Sequence, residues 1–149
     1  MNKVYEQVLL FKKKYPQTIS WFRLKKHAEV VEKHLNPNEE PVYSFIGQKN
    51  DNMLDIFATC VITLTNHRIL IGQDHILVGY TLSSITPDLF NDLEIYQGII
   101  WGKVIIDTVK EVVTLTNIDK RALPEIETAI SSFMMEEKKK YKNNETKNA

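Results

Sequence analysis

The residues able to do chemistry in this 149-residue chain are few and scattered. The histidines are His27, His34, His67 and His75, and the single cysteine is Cys60. A zinc site needs converging ligands, such as a helical His pair four residues apart joined by Cys or carboxylate. His27 and His34 stand seven apart, two helical turns, so no metal site is expected. His67 reads as a turn residue. Cys60 falls on the inward phase of an apolar strand, where a thiol behaves as a small buried hydrophobe; a nucleophile would have to be exposed and activated. Asp88, Asp92 and Glu94 offer carboxylates, but Asp92 and Glu94 share a face that belongs in water. Gly98-Ile99-Ile100-Trp101-Gly102 opens a strand and lacks the pattern of a phosphate loop. The reading is therefore a non-enzymatic protein with no catalytic residue and no cofactor.

One cluster could recognise a partner. Lys12, Lys13, Lys14, Trp21, Arg23, Lys25 and Lys26 lie around Pro16, with Phe22 beside them. Basic residues mixed with aromatics can hold a helix on an anionic membrane surface or against another molecule. The plain alternative is a solvated helix face with its aromatics packed inward. Nucleic acid is not expected, because the centre of the chain would repel phosphate and no recognised binding motif is present. Residues 1–35 hold eight Lys/Arg against three Asp/Glu, and residues 36–119 hold four against eleven. Residues 120–149 hold seven against five, which returns a net charge of zero. Opposite charges on the basic and acidic parts would help one dock on the other.

These residues must be positioned by helices at the ends of the chain and strands between them. Val4, Val8, Phe11 and Tyr15 mark one face of a first helix, broken at Tyr15-Pro16. Thr18 is placed to cap a second helix through about Leu35, striped by Trp21, Leu24, Ala28, Val31 and Leu35. Asn36-Pro37-Asn38 ends it, and Glu39-Glu40-Pro41 reads as linker. So small a helical unit needs a packing surface, either the rest of the chain or a second copy. Strands are expected over 42–48, 57–64, 68–72, 77–82, 89–96, 99–108 and 112–118, with a polar loop at 49–52. In the second, Ile56, Ala58, Cys60, Ile62 and Leu64 alternate with Asp55, Phe57, Thr59, Val61 and Thr63, giving one wholly apolar face. Asn66-His67 and Gln97-Gly98 are expected as tight turns with left-handed residues at Asn66 and Gly98. Pro87 argues for an edge or a bulge between the fourth and fifth strands. Pro124 suits a first helical turn, and Leu123, Ile126, Ile130, Phe133 and Met134 stripe a closing helix.

Length and composition agree with one domain that can bury its own core. A lone cysteine excludes an internal disulfide and points to a reducing compartment. No apolar run reaches the ~18 residues of a membrane span, and the N-terminus does not read as a secretory signal. The expected location is the cytoplasm, with peripheral membrane attachment through the basic cluster as the variant.

Thr63-Leu64-Thr65-Asn66-His67-Arg68-Ile69-Leu70 resembles a signature of bacterial pleckstrin-homology-like (PH-like) domains. Leu82-Ser83-Ser84-Ile85, the run Gly98-Ile99-Ile100-Trp101-Gly102-Lys103-Val104-Ile105-Ile106, and Asn117-Ile118 before the last helix are similar to that family in the same order. The resemblance implies a mainly β, α+β fold: a seven-stranded, partly open antiparallel barrel with a C-terminal helix plugging one end. Residues 42–135 would form this domain, 1–35 a helical extension, and 136–149 a charged helix end and disordered tail. Eukaryotic relatives bind phosphoinositides through several Lys/Arg on the first two strands and their loop. Here that region holds Lys49 beside Asp51 and Asp55, and one lysine is worth only about 1 kcal/mol at an anionic surface. The family instead implies binding or assembly, with a protein partner or a second copy of the chain as the expected ligand.

Overall fold

The computed structural model describes residues 2–18, 22–49 and 56–148; Trp21, Asp55 and positions 50–52 of the polar loop lie outside them. Two helices, α1 (Lys3–Lys14) and α2 (Leu24–Lys33), precede seven strands. These are β1 (Pro41–Gln48), β2 (Thr59–Thr65), β3 (Ile69–Asp74), β4 (Tyr80–Ile85), β5 (Phe90–Gln97), β6 (Trp101–Thr108) and β7 (Val112–Asp119). A long helix, α3 (Leu123–Asn148), closes the chain. Its charged segment from Glu136, expected as a helix end running into a disordered tail, is helical to Asn148.

The strands pair antiparallel in the order β4-β3-β2-β1-β7-β6-β5, curled into a half-barrel. β1 and β7 meet at one register position, Gln48 opposite Thr116, and this narrow join links the two halves. The halves face each other: a Cβ placed on Gly47 of β1 would lie 3.5 Å from Leu115 and 3.6 Å from Ile118 of β7. Phe45, Ile62, Ile69 and Ile71 meet Val104, Ile106, Leu115 and Ile118 in one continuous core. Leu123, Ile126, Ile130 and Met134 bring α3 into it, as the stripe predicts, with Phe133 half-buried.

The outer face of β1–β3 is covered as well. β2 is buried at every position, because α1 and α2 lie across the face that Val61 and Thr63 present. Gly72 of β3 permits this close approach, since its Cβ would sit 2.6 Å from Val31 of α2 and 3.1 Å from the His27 carbonyl. Val4, Val8, Phe11 and Tyr15 are buried, as are Leu24, Ala28 and Val31, so both stripes find their surface within this chain.

Several local expectations are corrected. α2 starts at Leu24, not near Thr18; its cap residue is Arg23, left-handed at φ 55° and making no side-chain capping bond. Thr18 instead accepts from the Asp119 amide at 2.9 Å. The turn at Asn66 has no left-handed residue; the Thr65 hydroxyl holds it by accepting from the His67 and Arg68 amides. Gly98 is not left-handed either, but a Cβ there would meet the Trp101 carbonyl at 2.8 Å. The fourth strand begins at Tyr80 rather than 77, because Gly79 (φ 73°) turns the chain after Ile76, Leu77 and Val78. Ile56–Ala58 forms a 3₁₀ turn before β2. Pro87 lies in the connection between β4 and β5, the two edges of the sheet.

Candidate interaction surface

Charge segregation in the sequence is used inside the molecule. Lys3 meets Glu40 at 2.8 Å, Lys14 meets Glu125 and Arg23 meets Asp74 at 2.7 Å, so basic helices are tied to acidic partners at three places. Exposed ion pairs contribute about 1 kcal/mol or less, whereas burying a Val or Phe side chain contributes about 1.5–3 kcal/mol. The apolar stripes therefore dock the helices, and the ion pairs set their orientation.

This disperses the basic cluster. Lys14 and Arg23 are committed to Glu125 and Asp74, and Lys26 lies 4.0 Å from Glu29. Lys12, Lys13, Lys25 and Lys26 remain exposed at the adjoining ends of α1 and α2. Phe22 turns to the Phe57 ring, centroid to centroid 5.6 Å, edge to face.

The strongest polar constructions are structural. Arg68, from the Thr-Asn-His-Arg run, grips the buried Glu39 carboxylate through Nε and Nη2, both at 2.9 Å. Its remaining donors reach the His34 carbonyl and Ser84, so one guanidinium joins α2, the linker, β3 and β4. Burial alone would raise the Glu39 pKa, but donation from Arg68, Thr65 and the Asn36 amide outweighs it and holds the carboxyl at about 2. Asp119 is likewise buried, accepting from Arg121 and the Gln17 amide, which hold its carboxyl below the usual range despite burial. Asn117 is left-handed (φ 60°) and donates to Gln48 at 2.6 Å, so its signature position serves a bend in β7. Cys60 is fully buried, its thiol pushed up to about 12 by burial, so it stays protonated and inert. Among the described residues no three His, Cys, Asp or Glu side chains gather as metal ligands would.

The outward-facing features are two apolar hairpin tips. The β3–β4 tip exposes Leu77 at 94% and Val78 at 83%, next to Ile76, Phe57 and Tyr80. A shallow cleft of about 400 Å³ opens beneath it, lined by Phe22, Phe57, His75 and the tip, with His27 and Asp74 at its base. His27 accepts the Asp74 amide on Nδ1 at 2.8 Å, which leaves its proton on Nε2, a buried atom without a partner. Burial depresses its pKa to about 4, so the ring is neutral. The β5–β6 tip exposes Ile99 and Ile100 beside Tyr96, over a cleft of about 350 Å³ that Trp101 also lines. Half-buried Trp101 donates from Nε1 to the Gln17 carbonyl, which fastens the connection between α1 and α2 to this end of the sheet.

Neither tip was singled out from sequence. Leu77 and Val78 read as the start of a strand, with the turn expected at Gln73-Asp74-His75, whereas β3 continues to Asp74 and the turn falls at the apolar residues. Asp92 and Glu94 are exposed as expected.

Among curated proteins the sequence has no match. A crystal structure of a pleckstrin homology domain from Shewanella amazonensis SB2B is similar at a TM-score of 0.45 and 14% identity, over 83% of this chain and 94% of that one. A family model described as bacterial PH domain matches residues 35–132. That span takes in β1 to β7 and the buried turns of α3, well over half of the chain, and the chain belongs to the bacterial PH domain family.

Proposed function

We propose that the protein is a non-catalytic binding and assembly module of the cytoplasm whose partner is another protein, a second copy of this chain included. Domains of this family commonly mediate binding or assembly. The observation that carries the reading is the β3–β4 tip, where three consecutive apolar side chains stand in solvent above an apolar cleft. Contiguous exposed apolar surface on a small globule marks a place where something else sits. Of the two packing surfaces open to the N-terminal helices, the rest of the chain or a second copy, their buried stripes use the first, so the helices brace the binding surface.

The test compares the full chain with the double variant Leu77→Asp, Val78→Asp. Wild type should show a concentration-dependent mass by light scattering, or should retain a protein from native lysate, and the variant should lose that property while unfolding at the same temperature. Identical behaviour of the two proteins in both assays would end the reading.

A second reading is attachment to an anionic membrane surface. It is favoured by the placing of exposed Lys25 and Lys26 one turn from Arg23, whose ion pair with Asp74 anchors the base of the apolar tip. Among the described residues no helix is long and apolar enough to cross a membrane. Attachment predicts sedimentation with anionic vesicles that salt abolishes and that charge reversal at Lys12, Lys13, Lys25 and Lys26 removes. Equal recovery with neutral vesicles would discard it.

A further inference from the structure

We infer that β4 is the self-association edge: two copies pair β4 with β4, antiparallel, across a two-fold axis. The inference rests on the assembly reading above and names its site. The sheet ends in two strands, β4 and β5; no described residue hydrogen-bonds the outer main chain of β4, whereas on β5 the Leu93 amide donates to the Asp92 carboxylate. Such edges are ready templates for another strand, and proteins that stay monomeric guard them with charges, prolines, bulges or a covering element.

β5 is guarded. It carries Asp92 and Glu94, its register with β6 breaks between Phe90 and Asp92, and α3 packs beside it with Lys138 over the Phe90 ring. Among the described residues β4 has a helix beside it too, α2, but no charge, no proline and no bulge. Its six residues, Tyr80-Thr81-Leu82-Ser83-Ser84-Ile85, include no charge and no proline, and their register with β3 runs unbroken from Tyr80 to Ile85. Its polar side chains bond to neighbouring segments of the same chain: Tyr80 bonds His34 at the end of α2, Thr81 bonds His75, Ser83 accepts from Lys49 and Ser84 accepts from Arg68.

The occupant follows from self-complementarity. Paired residues must share a face, so the two-fold axis passes through a residue. With the axis at Leu82, Leu82 opposes Leu82 of the second copy, Thr81 opposes Ser83 and Tyr80 opposes Ser84, with no like charges. The same operation on β5 about Leu93 sets Asp92 against Glu94, a repulsive pair. Paired about their central leucines, β4 adds a copy of itself without repulsion and β5 does not.

The test uses the full chain. Sedimentation velocity across a concentration series should show a monomer–dimer equilibrium. Thr81→Lys should weaken the dimer about tenfold, by placing new like charges near the axis, without moving the unfolding midpoint. Of single cysteines at Tyr80, Leu82 and Ser84, Leu82→Cys, which meets its own copy on the axis, should form a disulfide-linked dimer, and the yield should fall on either side. Glu94→Cys on β5 should not cross-link, and Cys60 is buried and silent. A dimer indifferent to Thr81→Lys, with flat cross-linking yields, overturns the β4 edge and leaves the assembly reading standing. A monomer at every concentration overturns the edge and self-assembly together, while binding of a different protein is judged by the Leu77 and Val78 variant.

Discussion

β2 and β6 are strands of similar length in one curled sheet, and their surroundings differ. β2 is buried at all seven positions, whereas β6 alternates between half-buried and buried along its length. The cause is the pair of N-terminal helices, which cover β1–β3 and leave β5–β6 open to water on one face. The covered side is also where the costly constructions sit: buried Glu39 with Arg68, the glycine at 72 and neutral His27. The open side carries single-faced strands and the Ile99–Ile100 tip. A covered flank thus behaves as scaffold, and the edges and tips left outside it are where partners can bind.

Three measurements sharpen this contrast. The largest effect is expected from Arg68→Ala, which strands the buried Glu39 carboxylate and cuts the tie between α2, β3 and β4. Removing one partner of a buried pair costs about 3–5 kcal/mol, readable as a lowered denaturant midpoint. A loss below about 1 kcal/mol, the level of a surface pair, would show that water reaches Glu39 and that the covered flank is looser than described.

Gly72→Val comes next. Its side chain must enter the space held by Val31 and the α2 backbone, and overpacking of this kind costs about 1–3 kcal/mol. Amide exchange should rise in α2 while the amides of β6 keep their protection. Uniform loss across the sheet would mean that the two regions unfold as one unit.

The third measurement is the pH dependence of stability. His27 has an ordinary pKa of 6.5 and about 4 when folded. Above about 6.5 neither state is protonated there, so its contribution is fully present. As pH falls from 6.5 toward 4, the unfolded chain binds a proton that the folded ring resists, and stability declines. The ring is surrounded by Arg23, Asp74 and His75, with the Phe22 carbonyl near it. Glu39 adds a second, lower window, from its ordinary 4.5 down to about 2, as the unfolded chain takes up the proton first. His27→Gln should flatten the upper window and leave the lower one. An unchanged slope between pH 6.5 and 4 would place the titration elsewhere.

Much of the frame was legible because it depends on neighbours in sequence. The stripe of Leu123, Ile126, Ile130 and Met134 shows its buried face by helical spacing alone, and strand positions in β2 and β6 alternate visibly. The interaction surface was far less legible. Ile76-Leu77-Val78 has the composition of a strand, and only the left-handed Gly79 and the pairing of Tyr80 with Asp74 place it at a tip. Lys14 and Arg23 looked like members of a basic patch, because their partners Glu125 and Asp74 lie 111 and 51 residues away.

From sequence alone came the order of helices and strands, the inward faces of the three helices and of β2, the kinship carried by the Thr63–Leu70 and Gly98–Ile106 runs, and the poverty of reactive groups. All of these are set by short-range periodicity and residue type. Tertiary structure alone decided which outer faces are covered, which charges are neutralised and which apolar residues stay in water. Those outcomes depend on segments far apart in the chain meeting in space, and no local pattern of Arg68, Gly72 or Leu77 contains the identity of what lies opposite.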